Sequence, residues 1–297
     1  MRMDGQEESS NVEDVRGMSG GGGGGGGGMG FGGRSVGIGG VIIAVIAGWI
    51  FGINPLTLLG LMPSSGGGQV AQQQQGPAPA PPRDDAGAKF VSQVLRSTEA
   101  TWTDVFRESG RTYQPPKLVL FSGSYPTACG QGQAAMGPFY CPNDQKVYID
   151  LRFYRVLEQK LGAPGQFAQA YVIAHEVGHH VQNQLGIMEK VDAMRGRGGE
   201  AQANALSVRV ELQADCFAGV WAARSQKEQG WRLDPGDIEQ ALNAASQIGD
   251  DTLQQKSRGT VVPESFTHGT SAQRVSWFKR GVQSGSVDQC NTFQDRS

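Results

Sequence analysis

Hydrophobic and polar positions divide this chain into two unlike parts, with the boundary near residue 88. Beyond it, the periods of folded structure are plain. Over 90–107, Val91, Val94, Leu95, Trp102 and Phe106 fall near helical spacing. The apolar runs KLVLF at 117–121 and KVYIDL at 146–151 predict strands, and 133–140 predicts another. A helix is predicted over 165–185, where Phe167, Tyr171, Ala174, Gly178, Val181 and Leu185 form one stripe and Gly186 is suited to end it. After a glycine-rich loop at 195–199, a second long helix is expected over 201–224, with shorter ones over 235–248 and 271–282. Helices around a small mixed sheet place residues 88–297 in the α+β class.

Before residue 88 the pattern changes. Residues 35–53 are almost wholly apolar, and no charge occurs between Arg34 and Arg83. At about 1.5 Å per residue this run is long enough to cross the hydrocarbon layer, with Leu56 to Leu61 contributing after Pro55. Residues 35–62 are therefore expected to form one transmembrane signal anchor. A cleavable signal peptide fits less well, because its leading region would run to Arg34 and no small-residue cleavage site follows cleanly. Arg2, Arg16 and Arg34 precede the run, and the next positive residue after it is Arg83. That asymmetry predicts a cytoplasmic N-terminus and a domain outside, periplasmic or extracellular. The tail 1–34, with its glycine tract at 20–28, reads as a flexible tether, and the Gln, Pro and Ala stretch 63–87 as a spacer.

Composition sharpens the picture in three places. Most of the 45 glycines and 14 prolines crowd into the first third, which leaves roughly 210 residues for the domain, ample for one core. A net charge of −2 argues against a nucleic-acid partner, which calls for a clustered basic face. Cys129, Cys141, Cys216 and Cys290 form no CxxC pair, so neither a thiolate zinc site nor a thioredoxin-like motif is expected, while their even number suits two disulfides in an oxidising compartment.

The chemistry lies on the two long helices. In His175-Glu176-Val177-Gly178-His179 the histidines stand four apart, so both rings leave one face of the helix and can bind a single Zn²⁺. Glu176 lies beside them, placed to take a proton from a water. A catalytic zinc wants three protein ligands and one open position. Glu211, in Glu211-Leu212-Gln213-Ala214-Asp215, can be the third. Asp215, one turn on, can accept the free ring N–H of a ligating histidine and fix its tautomer. His180 points about 100° away from His179, so no ligand role is expected for it.

HEVGHH followed by ELQAD resembles the gluzincin class of metallopeptidases. More closely, the chain is similar to the neutral zinc metallopeptidase family of bacterial membrane-anchored proteins, in NVEDVRG, the glycine-rich tether, the single span, YCPNDQKVYIDL, AHEVGHHVQNQLG, ELQADCFAGVWA and FTHGTSAQRVSWF. The resemblance implies a zincin fold, one zinc ion and endopeptidase chemistry on a protein or peptide. Thr267-His268-Gly269 with Arg274 is similar to a Thr-His-Pro and Arg pattern in another membrane-linked gluzincin family, in which the late histidine faces the active site. That likeness implies that His268 donates to the oxyanion and that Arg274 steadies a carboxylate such as Glu211. Gly269 stands where that pattern has proline. Three pairings of the four cysteines exist, and Cys129–Cys141 with Cys216–Cys290 is preferred. An extended substrate would add to the sheet edge along 133–140. Two rival functions are a zincin-like scaffold that does not catalyse and a zinc hydrolase acting on a non-peptide amide.

Overall fold

The computed structural model describes residues 1, 5–17, 81–82, 84–133, 137–195, 199–228 and 233–294. The glycine tract, the apolar run 35–62 and the spacer up to residue 80 lie outside these. Among the described residues no helix is long and apolar enough to cross a membrane.

The sheet begins far earlier in the chain than its pattern suggests. Strand β1, Val12–Asp14, pairs in parallel with β2, Lys117–Leu120. Strand β2 pairs in parallel with β6, Lys146–Ile149, and β5, Phe139–Cys141, closes the other side antiparallel to β6. The order is β1-β2-β6-β5, and a separate hairpin joins β3, Ser124–Thr127, to β4, Gly130–Gln133. The single strand expected over 133–140 is thus replaced by the end of β4 and the start of β5. Gly137 lies between them at φ +80°, a left-handed conformation that extended backbone does not pass through.

Segment 5–17, expected to lie in a tail across the membrane from the domain, is part of this fold. Val12 is buried in the core, and Glu13 reaches Lys117 at 2.7 Å and Lys146 at 2.8 Å. Ser9 and Asn11 both donate to the carboxylate of Glu99, at 2.6 and 2.8 Å. Arg16 pairs with Asp85 at 2.7 Å, which places the end of segment 5–17 beside residue 85. A single crossing between Arg34 and residue 62 would put Val12 and Leu118 on opposite faces of a membrane.

Eight α-helices occur among the described residues, and the helical core packs on one face of the sheet. Helix α1, Ala86–Glu108, starts four residues before its predicted boundary because Asp85 caps it, accepting from the Ala88 N–H at 2.9 Å. Helices α2, Arg152–Gln159, and α4, Ile187–Arg195, are short and flank the predicted α3, Gln166–Gln184. Helix α5 is Glu200–Glu228, α6 is Asp237–Gln247, α7 is Asp250–Arg258 and α8 is Ser271–Ser284. A capping box between Thr270 and Gln273 starts α8.

Aromatic contacts and missing side chains set how closely these helices approach. Trp102 of α1 meets Phe217 of α5 edge-on at 5.4 Å, and Phe167 of α3 stacks on Trp221 of α5 at 5.8 Å. Gly178 lets α3 lie against the backbone of α5, since a Cβ there would come within 3.1 Å of the Ala214 carbonyl oxygen. At the crossing of α5 and α8, a Cβ on Gly281 would meet the Cys216 carbonyl at 2.0 Å. These two close approaches bring three helices together around one buried point. Both preferred disulfides are present, Cys129–Cys141 and Cys216–Cys290, and the latter ties the C-terminal segment to α5.

Candidate metal centre

Helix α3 is buried along almost its whole length, including His175, Glu176 and His179, each 6–8 % exposed. Polar side chains in such surroundings need partners, and the partners define the site. His175 Nε2 lies 3.1 Å from one oxygen of Glu211, and His179 Nε2 lies 3.5 Å from the other. The three ligating atoms all fall within 4.8 Å of one another. Two atoms each about 2.0–2.1 Å from a tetrahedral zinc stand about 3.3 Å apart, so the two nitrogen–oxygen spacings are of that size, and the three residues could hold a metal ion.

Each imidazole is held from behind by its other nitrogen. His175 Nδ1 lies 2.8 Å from Asp215 Oδ1, and His179 Nδ1 lies 2.9 Å from Gln182 Oε1. Both partners are acceptors, so each ring donates from Nδ1 and turns Nε2 to the centre, where a bound metal would take the place of its proton. Sequence reasoning reached Asp215 through its spacing from Glu211. It missed Gln182, which follows His179 by three residues on the same helix.

Asp215 is fully buried, and both of its oxygens are hydrogen-bonded. Arg274 grips it with two donors, Nε at 2.8 Å and Nη2 at 3.0 Å, and the Tyr171 hydroxyl donates to it at 2.5 Å. Arg274 also donates to the Ile248 carbonyl at 3.3 Å. Its direct partner is therefore Asp215, where the sequence pointed to Glu211, because the close crossing of α5 and α8 sets it against the turn that holds Asp215. Tyr171 belongs to the predicted core stripe, yet its hydroxyl serves the site. Its spacing of four from His175 is the signal that could have found it.

Charge follows from this packing. Burial raises the Glu176 pKa above the usual carboxylate value, against the pull of His175 and His179. Glu211 goes the other way, since the neighbouring His179 and His268 outweigh its burial and hold it well below that value. Burial lowers the His175 pKa, but Asp215 and Glu211 more than compensate and carry the metal-free ring to about 10.

His268 sits on the loop between α7 and α8, about a third exposed. Asp250, at the start of α7, organises that loop, accepting from the backbone N–H groups of Thr267, His268 and Gly269 at 2.7, 2.6 and 3.0 Å and from His268 Nδ1 at 3.2 Å. Gly269 adopts φ +88°, which proline cannot reach, and its N–H is one of these donors. The departure from proline at 269 thus has a structural reason. Electrostatic attraction between His268 and Glu211 raises the histidine pKa, although burial acts against it.

His180 stays outside the centre. Fully buried, it approaches the Tyr140 hydroxyl with Nδ1 at 3.0 Å and the Gln114 carbonyl with Nε2 at 2.7 Å. It thereby ties α3 to the outer strand β5.

The chain is 54 % identical over 293 residues to "Uncharacterized protein YpfJ" of Escherichia coli strain K12, covering 99 % of each chain. It is 43 % identical over 206 residues to "Uncharacterized protein Rv2575" of Mycobacterium tuberculosis strain H37Rv, covering 66 % of this chain and 67 % of that one. No solved structure matches. The family model described as "Putative neutral zinc metallopeptidase" matches residues 1–293, and the chain belongs to that family.

Proposed function

We propose that the chain is a zincin-type endopeptidase that holds one zinc on His175, His179 and Glu211 and cleaves protein or peptide substrates. The observation that carries this reading is the convergence of two Nε2 atoms and a carboxylate, with Glu176 buried beside them. When bound, zinc supplies Lewis acidity, which lowers the pKa of a water and polarises the scissile carbonyl. Glu176 takes the proton of the attacking water and passes it to the leaving amine. Its raised pKa suits both halves of that transfer. His268, held by Asp250, donates a hydrogen bond to the oxyanion of the tetrahedral intermediate. Arg274 keeps the buried Asp215 ionised, and Asp215 in turn keeps His175 in the ligating tautomer. Substrate adds as a further strand along β5, whose Tyr140 is fixed to the catalytic helix by His180. The test is incubation of the full-length protein with an unstructured protein, followed by mass spectrometry of the products. Internal cleavage that stops with a zinc chelator and returns with added zinc is expected. An intact substrate in the presence of zinc would sink the peptidase reading.

Location is proposed from the sequence and the fold together. The apolar run 35–62 attaches the chain to a membrane, and the domain lies outside, where its disulfides are maintained. Segment 5–17 lies on that same outer face, because β1 is part of the sheet. All four cysteines are disulfide-bonded, so an introduced cysteine is the only free thiol. In spheroplasts, exposed positions in Ser10→Cys and Ser276→Cys should react equally with a membrane-impermeant maleimide. Labelling of Ser10→Cys only after lysis, with Ser276→Cys labelled before it, would restore the single crossing.

A further inference from the structure

Behind His179 runs a chain of buried amides whose direction can be read without ambiguity. It ends on the backbone carbonyl of Cys290, which can only accept. Gln213 donates to that carbonyl through Nε2 at 2.9 Å, so its Oε1 faces the other way. That oxygen accepts from Gln182 Nε2 at 3.0 Å, and the same Nε2 also donates to the Val210 carbonyl at 2.7 Å. The NH₂ end of Gln182 is thus committed twice to acceptors. Its Oε1 is left facing His179 Nδ1 at 2.9 Å. An amide is symmetric in shape and can turn over at little steric cost, so orientation has to come from hydrogen bonds. Here they all agree. The start of the chain is itself anchored, since Cys290 is bonded to Cys216 of α5 and Thr292 donates to the Arg209 carbonyl at 2.7 Å.

We propose that Gln182 is a positioning residue for His179, and that Gln213 and the Cys290 carbonyl set its orientation so that His179 offers Nε2 to the metal. This rests on the zinc-site reading given above. The two histidines reach one tautomer by different means. Asp215 holds His175 by charge, while a neutral amide relay running to the C-terminal segment holds His179. A reversed Gln182 amide would turn a donor towards Nδ1, favour hydrogen on Nε2 and oppose metal binding.

The experiment uses the full-length protein, with zinc affinity measured by competition against a chromophoric chelator and ligand geometry read from the absorption bands of the Co²⁺-substituted form. Gln182→Met keeps length without polarity and is expected to weaken zinc binding about 10- to 100-fold, with altered Co²⁺ bands. Gln182→Glu restores an acceptor towards His179, with its second oxygen protonated between the Val210 carbonyl and Gln213 Oε1, and should recover part of that loss, which a packing role would not produce. Gln213→Met, remote from the ligand, is expected to lower affinity by a smaller factor, and it decides the matter should Gln182→Met fail to fold. Wild-type affinity and bands in both methionine variants would overturn the positioning role, as would a Gln182→Glu chain no tighter than Gln182→Met. Should the wild-type chain itself bind no zinc, the metal-site reading fails first and takes this one with it.

Discussion

Replacing Glu176 with glutamine should lower peptide cleavage by about 10²- to 10⁴-fold, the usual contribution of a positioned general base, and leave zinc bound. Both halves of that expectation come from where the side chain sits. Glu176 is 8 % exposed on a helix buried along almost its whole length, so an isosteric amide preserves the packing that holds His175 and His179. It is not one of the three converging ligand atoms, so the metal set is untouched. What glutamine cannot do is take a proton. Kinetics on a defined peptide, with zinc content measured on the same samples, check both points. Activity near that of the wild type would remove Glu176 from the mechanism, and loss of zinc along with activity would make it a structural member of the site.

Removal of Glu211 should have the opposite signature. Its two oxygens are the elements that face both Nε2 atoms, at 3.1 and 3.5 Å. Glu211→Ala leaves two imidazoles to hold the ion, and zinc affinity should fall by more than about 100-fold, beyond the cost of losing a partner behind a ligand. The imidazoles should remain oriented, because Asp215 and Gln182 hold them from the far side.

The legible and illegible parts of this molecule separate along physical lines. Helical spacing of apolar residues pointed to α1 and α3, helices were also expected at α5, α6 and α8, and a spacing of four brought His175 to His179 and Glu211 to Asp215 without any knowledge of the fold. The strand Val12–Asp14 was illegible, since only Val12 is apolar and its partner Leu118 lies beyond the whole membrane-like stretch. The short helices α2, α4 and α7 lack the length to show a period. Partners set by tertiary approach were out of reach as well. Arg274 meets Asp215 because Gly219 and Gly281 let α5 and α8 close up, and a local pattern contains no such distance. The apolar run was plain in the sequence, but the pairing of residues 12–14 with β2 was not, because charge bias weighs flanking residues and not strand pairing.

The central claim is that His175, His179 and Glu211 form a zinc site, and zinc bound per chain tests it most directly. The measurement belongs on the full-length protein, because a chain cut back to residues 83–297 would lose β1 from the sheet. After dialysis against metal-free buffer, the wild-type chain should retain one zinc and Glu211→Ala essentially none. A wild-type chain that retains no zinc and takes none up, or a Glu211→Ala chain that holds it as tightly, would contradict the account.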